Sequence, residues 1–415
     1  MKVEQLCSEA QKASRALAVL PRVRKDEALG AVADALRRRA DEILTENAED
    51  VRLARENRVA DALVDRLLLD DDRLRDVEAA VRDVAALPDP VGQLVDGWRL
   101  DNGVELRKVR VPLGVIAVIY EARPNVTVDA AALCLKSGNA VILRGGSAAL
   151  HTNRILAEVV QGAVIETGLP RESVSYLSPD RKELADLLEQ RKYVDLVIPR
   201  GGEELKEYLL EHSKVPVIYA AGGNCHVYVD RAADLGMAKE IVVNAKCQRP
   251  GVCNAAETLL VHADAAASFL PRAAEELKRR GVELVVDKAA ADIIGDPALK
   301  RANKTHYDTE FLALKLAVRV VASLDEAVDH ISTYGTRHSE AIVTEDLAAA
   351  RAFTARVDAA CVYVNASTRF TDGGEFGLGA EMGISTQKLH VRGPIALQEL
   401  TCVKYELWGD GQVRG

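Results

Sequence analysis

The sequence predicts an α/β protein, a helical start followed by two successive strand–helix blocks. Three observations carry this. From Leu113 onward, short unbroken apolar runs such as GVIAVIY, NAVILR and YVDLVI alternate with amphipathic helices, the pattern of a parallel sheet covered on both faces. A second alternating block starts near RAADLGMAKEIVVNAK and runs through ETLLVH, VELVV, LKLAVRVV, EAIVTED and ACVYVN. At 415 residues the chain is also too long for one ordinary domain and long enough for two sizeable cores.

The elements follow in order. VEQLCSEAQKASRALAVL spaces its apolar residues as a helix does and stops at Pro21, which cannot continue one. KDEALGAVADALRRRADEILTENAEDVRLAREN keeps the same period until two prolines in LPDPVGQ break it. GWRLDNGVELRKVRVPLG reads as two short strands around Asp101-Asn102-Gly103, a hairpin signal. Such a hairpin is either an arm for self-association or a plain surface feature. In the first block, TVDAAALCLKSG and SAALHTNRILAEVVQGAVIETG are helices between buried strands, and SVSYL, RKELADLLEQR, EELKEYLLEHS and VPVIYA continue the alternation. In the second block AAASFLPRAAEELKRR and LDEAVDHI are helices, and the glycine-rich TDGGEFGLGAEMG comes after the last strand. No internal repeat or low-complexity linker separates the blocks.

Composition excludes several classes. A formal net charge of −9 argues against a nucleic-acid binder, and the basic runs RVRK and RRR are interleaved with acids as solvated helix faces are. No stretch approaches the roughly 20 apolar residues that span a bilayer, and MKVEQLCSEAQ lacks the apolar core of a secretory signal. The seven cysteines are scattered singly from Cys7 to Cys402 without a CxxC pair, so neither a zinc site nor a disulfide framework is expected. A reduced, cytoplasmic setting fits best. The eight histidines form no cluster, and His226 beside Cys225 on a strand points to the opposite face, so no metal is expected.

Three glycine-rich turns sit at strand ends: LRGGS with Gly145, Gly146 and Ser147, PRGGEE with Gly201 and Gly202, and AAGGN. Paired glycines let backbone approach a ligand, and amides at a following helix start attract phosphate; tight turns also need glycine for geometry alone. Neither common nucleotide fingerprint is present. Arg144, closing its strand, is a natural partner for a ribose 2′-phosphate and favours NADP over NAD. Cys253 in QRPGVCNAAETLLVH lies just before a strand, near Lys246 and Arg249, whose charge would stabilise a thiolate. The competing reading is a buried packing cysteine. Cys247, at the tail of a helical pattern, is its rival and fits packing better. Asn125 in YEARPNVT follows a buried strand and a proline, so its amide is either an oxyanion donor or a capping group.

Three long motifs, in order, point further: YEARPNVTVDAAALCLKSGNAVILRGGSAALHTN, QRPGVCNAAETLLVH and FGLGAEMGISTQKLHVRGP. Together they resemble the gamma-glutamyl phosphate reductases (glutamate-5-semialdehyde dehydrogenases), a divergent branch of the aldehyde dehydrogenase superfamily, from about Val111 to Glu406. The resemblance implies a Rossmann-like cofactor domain, an α/β catalytic domain and a small β oligomerisation element. The expected segments are 1–225 with an arm at about 97–112, then 226–365 with the nucleophile, then 366–415 with a substrate loop and an oligomerisation strand. It implies reduction of L-glutamyl 5-phosphate by NADPH, with Cys253 as nucleophile, Asn125 as oxyanion donor, Arg144 in contact with the cofactor and Glu310 of TEFLA on the nicotinamide ribose. Lys246 and Arg249 are candidates for holding the substrate phosphate.

One departure is informative. Hydrolytic aldehyde dehydrogenases carry a glutamate before a Gly-Gly pair, where this chain has YAAGGN with Ala220 and Ala221. Lacking that base suits an enzyme whose thioester must wait for hydride rather than meet water. The resemblance further suggests a homo-oligomer, with the kinase that makes the acyl phosphate as a candidate partner. Two rivals are a CoA-acylating aldehyde dehydrogenase and a non-catalytic scaffold of the same fold.

Overall fold

The structure, a computed structural model, describes residues 2–121, 123–219 and 222–414. The chain divides into two compact units, one of Met1–Tyr219, Gly377–Gly383 and Ile395–Gly415, the other of Ala220–Phe376 and Ile384–Pro394. This partition differs from the three segments expected from the sequence. Residues 366–415 are no separate element but are shared between both units, because Met382 and Ile395 hydrogen-bond within the first while Ile384–Ser385 pairs with Gly393–Pro394 in the second.

In the first unit a four-stranded parallel sheet runs Val174–Tyr176, Ala140–Arg144, Val115–Tyr120, Leu196–Arg200. All six residues of Val115–Tyr120 are buried, as an unbroken apolar run requires when helices cover both faces. Strand order reverses at Val115–Tyr120. The crevice beyond the carboxyl ends of that strand and of Leu196–Arg200 is therefore the switch point where such sheets bind ligands. Helices Val3–Leu17, Arg22–Arg38, Ala40–Glu56 and Asp71–Ala86 occupy the N-terminal stretch, where the 3.6-residue pattern placed them. The hairpin Leu94–Arg99 with Glu105–Pro112 is joined by Thr401–Trp408 into a three-stranded antiparallel sheet.

The second unit carries seven parallel strands in the order Lys300–Arg301, Glu283–Val286, Lys315–Val321, Ala256–His262, Cys225–Val229, Ser339–Val343, Cys361–Val364. One face packs Leu259, Val261 and Val318 against Val242, Phe269 and Leu277 of helices Leu235–Cys247 and Ala263–Arg279. The other packs Tyr228, Leu260 and Ile342 against Ile331 and Phe353 of helices Leu324–Tyr334 and Leu347–Arg356. Starts are fixed by side-chain caps: Asp234 accepts from Met237 N, Ser323 from Glu326 N, and Asp346 from Ala348 and Ala349 N.

Candidate active site

The Cys253 turn lies at the amino edge of the second sheet, between helix Leu235–Cys247 and strand Ala256–His262. Cys253 is half-buried, and its carbonyl oxygen accepts from the Cys225 thiol at 3.2 Å. Cys225 is fully buried, and that burial pushes its thiol well above the ordinary range, so it stays protonated and keeps donating. Gly223 backs the same peptide: a Cβ there would lie 1.4 Å from the Cys253 oxygen, so only glycine fits.

The next residue anchors the turn from the other side. Asn254 is buried, donates from Nδ2 to the Thr371 carbonyl at 2.8 Å, and accepts at its own carbonyl from Thr368 Oγ1 at 2.7 Å. Arg369 contacts Asn254 Oδ1 and donates from Nε to Gln248 Oε1 at 2.8 Å. Burial and the charge of Arg249 both pull the Arg369 guanidinium down, while Asp372 and Cys253 pull it up. Arg369 thus places positive charge beside Cys253, where a thiolate gains from it.

A second chain of contacts reaches the turn through Glu310. Its Oε1 accepts from Gly223 N at 2.6 Å, and a Cβ on Gly222 would meet the same carboxylate at 2.5 Å. Two residues on, Leu312 holds a left-handed φ of 52° and donates its N–H to Glu257 Oε1 at 3.1 Å. The other oxygen of Glu257 accepts from Lys246 Nζ at 2.6 Å, with both side chains fully buried. Burial pushes the Glu257 carboxyl up to about 7 and pulls the Lys246 ammonium down. Lys246 is therefore a brace for the Glu310 loop, and the expectation that it holds substrate phosphate fails on burial. Arg249 is exposed on the Cys253 turn. Cys247 packs against the core, burial raising its thiol.

In the first unit the candidate residues gather at the carboxyl edge around Glu121. Its Oε2 accepts from Gly202 N at 2.9 Å, and a Cβ on Gly201 would meet its carboxylate at 2.7 Å. A Cβ on Gly146 would sit 3.3 Å from Glu121 Cα, and one on Gly145 would collide with Asn153 Nδ2 at 2.1 Å. Arg144 is half-buried, donates from Nη2 to the Pro179 carbonyl at 2.6 Å, and has a buried Nε without a partner. Burial also lowers its guanidinium. Ser147, exposed, opens the turn into helix Leu150–Glu166. An orphaned guanidinium nitrogen beside an exposed helix start fits a phosphate-bearing nucleotide. Asn125 is the first residue of helix Asn125–Lys136 and spends one amide hydrogen on Asp129 Oδ2 at 2.8 Å, one turn along the helix, so it keeps a second N–H.

The structure thus joins Cys253 and Glu310 through Gly222–Gly223, and joins the Arg144–Ser147 and Gly201–Gly202 turns through Glu121. The residues that sequence reasoning missed are Cys225, Asn254, Glu257 and Arg369. Only Arg369, in a polar STRFT run after the edge strand Cys361–Val364, left a visible signal. Ala220 and Ala221 of YAAGGN lie outside the described residues. Among the described residues no group of three His, Cys, Asp or Glu could hold a metal ion.

Similarity to known proteins identifies the family. The sequence matches the model of the Aldehyde dehydrogenase family over residues 1–292. It is 54% identical over 413 residues to the Gamma-glutamyl phosphate reductase of Thermobifida fusca, covering 99% of this chain and 98% of that one. With the protein of the same name from Moorella thermoacetica the identity is 53%, covering 100% and 99%. The crystal structure of Gamma-glutamyl phosphate reductase from Thermotoga maritima matches with a TM-score of 0.97 at 44% identity, 100% of both chains being covered. An acetylating aldehyde dehydrogenase from Geobacillus thermoglucosidasius, 18% identical with a TM-score of 0.70 over 100% of this chain and 97% of that one, shares the fold. Matched by the family model over more than half its length, and by these relatives end to end, the chain belongs to the aldehyde dehydrogenase family, in its gamma-glutamyl phosphate reductase branch.

Proposed function

We propose that the chain reduces L-glutamyl 5-phosphate to L-glutamate 5-semialdehyde with release of phosphate, the second step of proline biosynthesis from glutamate, and that NADPH is the reductant. The carrying observation is the 54% identity, end to end, to a relative bearing that name. The Cys253 turn, clamped by Cys225, Gly223 and Asn254, supports it.

The chemistry follows from the residues. The Cys253 thiolate attacks the 5-carbonyl carbon, the C–S bond forms, and phosphate departs with the electron pair of the broken C–O bond, leaving a thioester. Phosphate is a good leaving group, so no strong general acid is required. A bound nicotinamide supplies the hydride. Arg144, Gly145, Gly146, Ser147, Gly201 and Gly202 would hold its phosphates, Arg144 favouring the 2′-phosphate of NADPH, and Glu310 its ribose. The spare N–H of Asn125 and a backbone amide stabilise the oxyanion, a contribution of about 3 kcal/mol per donor. When the C–S bond of the reduced adduct breaks, aldehyde leaves and Cys253 regains its thiolate, with Arg369 favouring that charged form. The absence of a carboxylate in YAAGGN keeps water from being activated against the thioester.

Self-association is part of the proposal. Trp98, Tyr405, Leu407 and Trp408 are all exposed on the three-stranded sheet of the hairpin and Thr401–Trp408. An apolar open sheet of this kind suits pairing with a second copy. No helix among the described residues is long and apolar enough to cross a membrane, and the cytoplasm, where the thiol stays reduced, is the proposed place of work.

The test is the reverse reaction. Glutamate 5-semialdehyde and NADP⁺ are mixed with phosphate, with CoA, or with neither, using wild type, Cys253→Ala and Cys247→Ala. NADPH should form only with phosphate and vanish only in Cys253→Ala. Formation driven by CoA would install the acylating chemistry instead, and an active Cys253→Ala would make Cys253 a packing residue.

A further inference from the structure

Arg369 stands beside the candidate nucleophile with more hydrogen-bonding capacity than its surroundings use. It follows the edge strand Cys361–Val364 and is fixed by Asn254, the residue after Cys253. Asn254 holds it at two points: Oδ1 accepts from Arg369 Nη1, and Nδ2 donates to the Arg369 carbonyl at 3.3 Å. Nε is spent on Gln248 Oε1 at 2.8 Å. A guanidinium carries five N–H donors, so both hydrogens of Nη2 and the second of Nη1 have no acceptor among the described residues. The two acceptors it does have are neutral amides. We propose that Arg369, with Arg249 beside it, holds the phosphoryl group of the acyl-phosphate substrate and takes up its charge as it leaves. The proposal rests on the reaction proposed above and names the residue that recognises its leaving group.

Three observations carry it. The guanidinium enters no ion pair among the described residues: Asp372 and Glu375 reach it only through their field, and Asp372 Oδ1 is taken by the N–H groups of Gly374 at 2.9 Å and Glu375 at 3.4 Å. Arg249, exposed on the same turn as Cys253, lies close enough for its charge to pull the Arg369 guanidinium down, and two like charges held together are a cost until an anion joins them. The side chain is also half-buried and locked, where a plain surface arginine keeps its rotamer freedom. An arginine immobilised in advance with its fork open is the arrangement that takes a phosphate by two parallel hydrogen bonds. The substrate offers two anions, the phosphate bonded to the attacked carbon and an α-carboxylate four carbons away. Arg369 is fixed to the residue next to Cys253, and the Cys253 charge reaches its guanidinium, so the near anion is the one it meets. When the C–O bond breaks, its electron pair goes to the departing phosphate, and the guanidinium stabilises the charge that develops there. A CoA thioester puts no phosphate at that place, so the same residue favours acyl phosphate over acyl-CoA.

Alkylation of Cys253 by iodoacetamide, with inorganic phosphate added at rising concentration, reads occupancy at this place without turnover. Phosphate should protect wild type, and its protection constant should weaken about 10- to 100-fold in Arg369→Met, the worth of a charge-assisted hydrogen bond. Arg369→Lys keeps the charge and loses the fork, and should weaken it by about 3- to 10-fold, as should Arg249→Met. Those two variants keep a cation in place or change an exposed residue, so they test the site even where Arg369→Met does not fold. In the phosphate-dependent reverse reaction the same variants should raise the KM for phosphate by a like factor and leave that for glutamate 5-semialdehyde within about threefold. Wild type left unprotected by phosphate, or equal protection in every variant, overturns the assignment. So does the opposite split, the KM for the aldehyde raised and that for phosphate unmoved, which would put Arg369 on the α-carboxylate. If phosphate protects through Arg369 yet no NADPH forms from glutamate 5-semialdehyde and phosphate, the anion site stands and the proposed reaction falls.

Discussion

The two sheets carry the same small device at opposite edges. At the carboxyl edge of the first, Glu121 seats on Gly201–Gly202, taking the second glycine's N–H and covering the first. At the amino edge of the second, Glu310 seats on Gly222–Gly223 in the same way. What differs is the support. Glu121, Gly201 and Gly202 are all exposed, and no buried group among the described residues braces the carboxylate. The Glu310 loop is pinned through Leu312 by Glu257 and Lys246, and its glycine lies against the Cys253 carbonyl. An exposed seat could release its amide to an incoming phosphate, as proposed for the cofactor; a braced one would hold the proposed nucleophile still. The lesson is that a glycine pair acquires its role from what stands behind the residue covering it.

The sharpest way to break this contrast is to put a methyl group into each seat. Gly223→Ala must displace the Cys253 peptide, since the new Cβ would overlap its oxygen, and a shift near 1 Å costs about 100-fold in acylation rate. Stopped-flow acylation of Cys253 measures it. Gly201→Ala meets only the far ends of Glu121 and Leu205, which can swing, so acylation should hold within about threefold while the KM for cofactor rises. Equal losses would show that the seats are equally rigid.

Next comes the brace itself. Lys246→Met leaves Glu257 buried without its counter-charge and should lower unfolding free energy by about 3–5 kcal/mol in urea titrations. Lys214→Met, which removes the exposed partner of Glu189, should leave the midpoint unmoved. Glu310→Gln keeps an acceptor for Gly223 and loses a negative charge near Cys253, which favours the thiolate; about a fivefold faster alkylation of Cys253 is expected, against no change for Glu121→Gln. Cys225→Ala, which removes the thiol donor to the Cys253 carbonyl, should cost about 1 kcal/mol of stability, read in the same urea titrations.

Much of this was legible in the sequence. Unbroken apolar strands and amphipathic helices gave both parallel sheets, and helix Ala263–Arg279 continues through Pro271 as its apolar spacing required. Cys253 and the two glycine turns of the first sheet stood out because strand ends and glycines are local features. The brace was not legible. Lys246 and Glu257 lie 11 residues apart on a helix and a buried strand, and an ion pair made by tertiary packing has no spacing rule. The assignment of Lys246 to a phosphate failed for that reason: a lysine near a nucleophile looks the same in sequence whether it faces water or a buried glutamate. The two-unit division differs from the expected segments for a related cause, since nothing local marks the returns of the chain at Gly377 and Ile395.

Those returns bear on how the protein is made. Strand Glu105–Pro112 finds one neighbour at once in Leu94–Arg99, but the other, Thr401–Trp408, belongs to the end of the chain. About 300 residues must leave the ribosome between them, roughly 15 to 60 s of synthesis at common elongation speeds. Throughout that interval one edge of the hairpin is open to any passing strand, including the same edge on a neighbouring nascent chain. The basic residues Arg107, Lys108 and Arg110 along it place like charges where two such edges would meet, and so guard the edge until its own partner arrives.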